Sequence, residues 1–193
     1  MKQIQGVHRA VVTDVRDKEG LGRVQVKMAD VAAEPSWARL ATLMAGDRRG
    51  TWFVPDAGDE VLVAFEGGDP RHPVVLGSLW SSSERPPETM DAAGENTVRL
   101  IRTRSGIEIR LDDASGRVAV STPDGASIVL EHGSVIIESG AEVEIRASQI
   151  KASAGMVSVA AGMARFDGVV QCDTLIANSV VAASYTPGAG NQL

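Results

Sequence analysis

The chain has 193 residues, 44% of them apolar and 23% charged, with 19 basic against 25 acidic side chains and a formal charge of −6. That balance excludes a surface built to grip nucleic-acid phosphates, which needs concentrated Lys and Arg. The single Cys172 excludes an intrachain disulfide. No window approaches the roughly 18 apolar residues of a membrane-spanning helix. The start, MKQIQGVHRA, lacks the apolar core of a secretory signal, so the expectation is synthesis in the cytoplasm without a signal peptide and exit by another route.

In chain order, the first eighty residues read as five strands: HRAVVTDV (8–15), GRVQVKM (22–28), WARLATL (37–43), DEVLVAF (59–65) and PVVLGSL (73–79). Val24, Val26 and Met28 alternate with polar neighbours, as do Val61, Val63 and Phe65, which is the period of a half-buried strand. Five short strands with glycine turns and no helical pattern predict a small closed barrel of the OB type over residues 1–80. Residues 81–97, SSSERPPETMDAAGENT, turn abruptly to Ser, Pro, Glu and Gly and read as a linker, which Pro86-Pro87 keeps extended.

From residue 98 to 193 the pattern repeats. Gly106, Gly116, Gly125, Gly133 and Gly140 lie 10, 9, 8 and 7 residues apart, and strands such as IEIRL, RVAVS, SIVLE and EVEIR sit between or just after them. Each offers only two or three apolar side chains to one face. Such strands need a facing sheet or identical copies from other chains, and no facing sheet is evident. Several chains wound about a common axis, forming a prism that tapers as the repeats shorten, is the expected solution. About ten strands at roughly 4.8 Å each predict a shaft on the order of 50 Å. Residues 141–193 hold only four acids and three bases, and Val170, Leu175, Val180 and Tyr185 recur every five residues.

Chemistry-bearing patterns are few. Asp59-Glu60 and Asp112-Asp113 are adjacent pairs, and neighbours on a strand point to opposite faces, so neither pair can act on one substrate atom. No nucleophile elbow, zinc-protease helix, phosphate loop or Cys/His cluster is present. No catalytic residue, cofactor or metal is therefore expected, and His8, His72 and His132 are the only histidines. His132 is placed at an exposed glycine turn, and Cys172 is read as a small buried hydrophobe. Trp37, Trp52, Phe53, Phe65 and Trp80 are assigned to the core, which argues against the alternative of an OB module stacking an oligonucleotide or oligosaccharide.

GRVQVK, then Trp37-Ala38-Arg39, then WFVPDAGDEVLVAFEGGDPRHPVVLGSLW over 52–80 resemble the OB-domain signature shared by phage baseplate assembly protein V, the VgrG proteins of type VI secretion, and the spikes of R-type pyocins and extracellular contractile injection systems. TRSGIEIRLDDASGRVAVSTPDG (103–125) is similar to the opening repeats of the trimeric β-helix that follows that barrel, and ASYTPGAGNQL looks like a family C-terminus. The resemblance implies an all-β homotrimer: an OB-fold barrel forming a collar on a baseplate hub protein, then an intertwined trimeric β-helix narrowing to a membrane-piercing tip. It implies that the turn Gly67, Gly68, Asp69, Pro70, Arg71, His72 touches the hub or a neighbouring subunit. Tyr185, Thr186, Pro187, Gly188 and Asn191 would form the tip. The family's histidine-x-histidine iron motif is missing here, so a separate capping protein of the proline-alanine-alanine-arginine type is expected at the apex. The absence of a fused hub domain leads to the expectation of a phage-like or extracellular particle, with only transient contact with the target membrane.

Overall fold

The structure is a computed structural model, and it describes residues 3–28, 34–90 and 92–184. It divides into two units, Met1–Val143 and Glu144–Leu193.

Within the first unit, strands β1 (His8–Asp14), β2 (Val24–Met28), β3 (Ser36–Leu40), β6 (Glu60–Phe65) and β7 (Pro73–Leu79) form a closed barrel in the order β1-β2-β3-β7-β6. Its pairs are antiparallel except β3 and β7, which run parallel. Closure removes every free edge, so no strand of the barrel can recruit a foreign one. The sequence alternation explains the interior: Val24, Val26 and Met28 from β2 meet Val61, Val63 and Phe65 from β6, with Ala10, Val12, Ala38 and Val75 completing the core. Small β-branched side chains suit the interior of so narrow a barrel.

The strand positions follow the sequence reading, with one shortfall. The third predicted strand was to run to residue 43, but β3 stops at Leu40. Ala41 N still donates to Val75 O at 2.8 Å, and the chain then leaves the barrel. It forms a small hairpin of β4 (Ala45–Gly46) and β5 (Arg49–Gly50), closed at its base by Thr51 N donating to Met44 O and by contact between the Thr42 and Thr51 hydroxyls.

The glycine spacing maps onto a second sheet. Strands β8 (Val98–Arg102), β9 (Glu108–Asp112), β10 (Arg117–Ser121), β11 (Ser127–Glu131) and β12 (Ser134–Glu138) form an antiparallel meander in sequence order. Gly106, Gly116, Gly125 and Gly133 each lie in one of its four turns with positive φ. In the tightest turn both His132 (φ 48) and Gly133 (φ 78) are left-handed, which is what a two-residue hairpin requires. Pro87 and Glu88 pack along this sheet: Arg110 donates to Glu88 at 2.7 Å and Arg102 to Pro87 O at 3.4 Å.

Beyond β12 the described residues contain no strand. The expected EVEIR strand around Val143 and Ile145 is absent from the single chain, because a strand is defined by a partner and none is offered there. In the second unit every described residue is exposed. Cys172, expected to be buried, is exposed with them.

Candidate functional site

The β6–β7 turn is rigidly made. Phe65 leads into a short 3-10 turn, Glu66–Gly68, in which Gly67 (φ 59) and Gly68 (φ 78) take conformations that a β-carbon would strain. Asp69 N donates to Glu66 O, His72 N to Asp69 O and Glu66 N to His72 O, each at 3.0 Å. The Asp69 carboxylate receives Arg71 N and Nε at 3.0 Å and Nη2 at 2.6 Å. Those bonds, the side-chain ones first, hold its carboxyl well below the usual carboxylate range. The N-terminal segment lies against the turn, with Ile4 N donating to Gly68 O at 2.9 Å. Gly67, Gly68, Asp69, Pro70, Arg71 and His72 thus form one preorganised knob, with Arg71 and His72 exposed. The sequence-selected tip residues, Tyr185, Thr186, Pro187, Gly188 and Asn191, lie outside the described residues.

The carboxylate pairs are spread apart by structure. Glu60 faces Arg9 at 3.3 Å, whereas Asp59 accepts the Asp56 N–H at 2.8 Å. Asp112 accepts from Ala114 N and Ser115 N in its turn, while Asp113 pairs with Arg99 at 3.2 Å. Among the described residues no group of three or more His, Cys, Asp or Glu could hold a metal ion, and no helix is long and apolar enough to cross a membrane.

One face of the second sheet is apolar across β9–β12 and continues onto β8 at Ile101. Register places Ile101, Ile109, Val120, Ile128 and Ile137 in one ladder across the five strands. A parallel ladder carries Leu111, Val118, Leu130 and Val135, beginning at Arg99 on β8. These nine side chains keep between 37% and 67% of their surface, the shielding that ladder neighbours supply and little more. The opposite face is different in kind: Ala119 and Val129 are buried, and Arg117 pairs with Glu131 at 3.2 Å while Arg102 pairs with Glu108. The strand periodicity contained this asymmetry, but only the register aligns it into continuous ladders.

The aromatics correct the sequence reading. Phe65 is buried at 9% exposure, but Trp52, Phe53 and Trp80 are exposed at 76%, 71% and 71%. Trp52 and Phe53 follow β5 outside any strand. Core packing therefore does not account for these three.

Comparison with known proteins bears on the barrel directly. Residues 8–80 match the family described as the type VI secretion system/phage-baseplate injector OB domain. The barrel is similar to that injector OB domain over its full extent. The chain is also similar to the type VI secretion system spike protein VgrG1a of Pseudomonas aeruginosa, 29% identical over 129 residues and 58% of this chain, a coverage that extends past the injector OB domain. Two Vibrio cholerae serotype O1 relatives match over 42% of the chain: the spike protein VgrG3 at 30% identity and the actin cross-linking toxin VgrG1 at 31%. The chain spans only 20% of VgrG1a and 8% of each Vibrio protein. The likeness is thus to spike proteins of the VgrG kind, and it centres on the barrel of an all-β chain.

Proposed function

We propose that this chain is the structural spike of a contractile injection particle, acting as a homotrimer whose three second sheets turn their apolar ladders toward a common axis. The observation that carries the reading is the uncovered apolar face of β8–β12. Burying a Val, Leu or Ile side chain fully is worth about 1.5–3 kcal/mol, so finishing the burial of nine half-exposed ones gives on the order of 10 kcal/mol per chain. A typical domain's net stability is about 5–15 kcal/mol. A contribution of that size decides whether the second half of the chain is ordered, and copies of the chain supply the cover at no cost in new sequence.

The same logic extends to the strandless stretch after β12. There Val143, Ile145 and Ile150 are exposed in one chain and would pair with neighbouring copies in an intertwined β-helix, tapering toward the C-terminus. The injector OB domains would form a collar on the baseplate hub, with the Gly67–His72 knob touching the hub or the next subunit. Force from the sheath would pass down the shaft to the target membrane, and a proline-alanine-alanine-arginine protein would cap the apex. Such work is mechanical and uses no catalytic residue or cofactor.

Native mass measurement of the purified full chain tests this. Three chains per particle at micromolar concentration is the expected result, and a well-folded monomer overturns it.

A further inference from the structure

A groove of about 1080 Å3 runs beside the injector OB domain, between the β1–β2 loop, β3 and its continuation, the β4–β5 hairpin and the end of the β6–β7 turn. We infer that it docks a short extended segment of a partner protein, one that carries an apolar side chain beside one or two carboxylates.

The apolar anchor is present and pre-positioned. Trp52 lines the groove with 76% of its surface exposed, and Phe53 and Met44 line it at 71% and 53%. The Trp52 indole lies so close to Gly22 that a β-carbon there would sit 3.0 Å from ring atom Cζ3, so the ring rests directly on the loop backbone. A large aromatic fixed in place before binding loses little entropy when it is covered.

The charges select the partner. Five arginines line the groove against a single carboxylate, Glu66, in a chain whose net charge is −6. Three of the five are already engaged: Arg23 with Asp17, Arg39 with Glu66 and Arg71 with Asp69, at 2.7, 2.8 and 2.6 Å. Arg48 and Arg49, at the hairpin tip, make no ion pair or side-chain hydrogen bond among the described residues. Arg48 is held in left-handed backbone, φ 53, a conformation that a non-glycine residue adopts at a cost. Two uncommitted guanidinium groups match one or two carboxylates. A single-stranded nucleic acid presents a phosphate at every nucleotide and needs a longer basic track than this. The closed barrel offers the segment no free strand edge, so on that wall recognition is through side chains.

This inference does not depend on the spike reading, and the two fail separately. The test uses the full chain and labelled ten-residue peptides in which one Phe or Leu is flanked by one or two Asp, with Lys-for-Asp counterparts and a fifteen-nucleotide oligothymidine as controls. Fluorescence anisotropy should report saturable binding of the Asp peptides, at least tenfold weaker for the Lys peptides. The double variant Arg48→Glu/Arg49→Glu should reverse that preference, with circular dichroism and native mass unchanged. Trp52 should become less accessible to acrylamide only when an Asp peptide is added. Absence of binding by any peptide overturns the inference, as does tighter binding of oligothymidine. It is equally overturned if Trp52 is already protected in the peptide-free protein, which would make a second copy of the chain the occupant.

Discussion

Arg23 and Asp17 form a two-point ion pair that closes the β1–β2 loop, with Nη2 2.7 Å from Oδ1 and Nε 3.2 Å from Oδ2. The same carboxylate accepts the backbone N–H groups of Glu19, Leu21 and Arg23, and the guanidinium lies 5.8 Å from the centre of the Trp37 ring. One aspartate thereby sets the path of the loop that forms one wall of the groove.

Replacing that aspartate should be felt as a pH-dependent loss. Hydrogen bonds from the Arg23 side chain, ahead of those from the backbone, hold the Asp17 carboxyl well below its ordinary value. A depressed folded-state value means that the contribution is present above the unfolded carboxylate pKa of about 3.9 and fades as pH falls through the folded one. Asp17→Asn should therefore lower the urea midpoint by a constant amount from pH 7 to about pH 5, with the difference from the parent chain shrinking below about pH 4. A difference that stays constant down to pH 2 would refute the ion-pair account.

Val120→Glu or Ile128→Glu places a charge in the middle of an apolar ladder. Either should break the proposed trimer into smaller, aggregation-prone species while leaving the barrel folded. Ser121→Lys, on the opposite face and opposite Glu108 in the register, should leave the native mass unchanged. Native mass spectrometry separates the two results.

Inside the barrel, Val26 is fully buried, whereas Val11 on the outer face is 43% exposed. Val26→Ala should cost about 2 kcal/mol through lost burial and the cavity left behind, and Val11→Ala less than about 0.5 kcal/mol. Equilibrium unfolding followed by tryptophan fluorescence gives both values.

Gly133 distinguishes backbone strain from steric clash. Nothing lies within 4 Å of a β-carbon built there, yet its φ is +78. Gly133→Val should destabilise the hairpin by about 1–2 kcal/mol for conformational reasons alone, while His132→Gly should be neutral or slightly stabilising. Thermal unfolding of the two variants checks the order.

The barrel was legible because Val24, Val26, Val61 and Val63 alternate strictly, and a two-residue period leaves little choice of inward face. The β4–β5 hairpin was not, since Ala45-Gly46 and Arg49-Gly50 have no apolar alternation and are held by contacts between Thr42 and Thr51. Trp52 and Phe53 were misassigned because aromatic content was equated with core. Both lie outside any strand, so no alternation fixed which way either would face. The glycine spacing located the turns of the second sheet, but the ladders depend on pairings such as Val120 with Ile109 and Ile128, which no single strand reveals. EVEIR has a strand's alternation without a strand's partner, a condition that lies outside its own residues.

Every strand of the β8–β12 meander pairs only with its neighbour in sequence. Closing such short loops is fast and entropically cheap, so each copy can zip up its sheet on the microsecond scale. In the proposed homotrimer the slow event would then be the meeting of finished sheets, whose rate rises with protein concentration. Newly made chains at low abundance would wait with their sticky side open, and the timing of assembly would be governed by how many copies are synthesised close together.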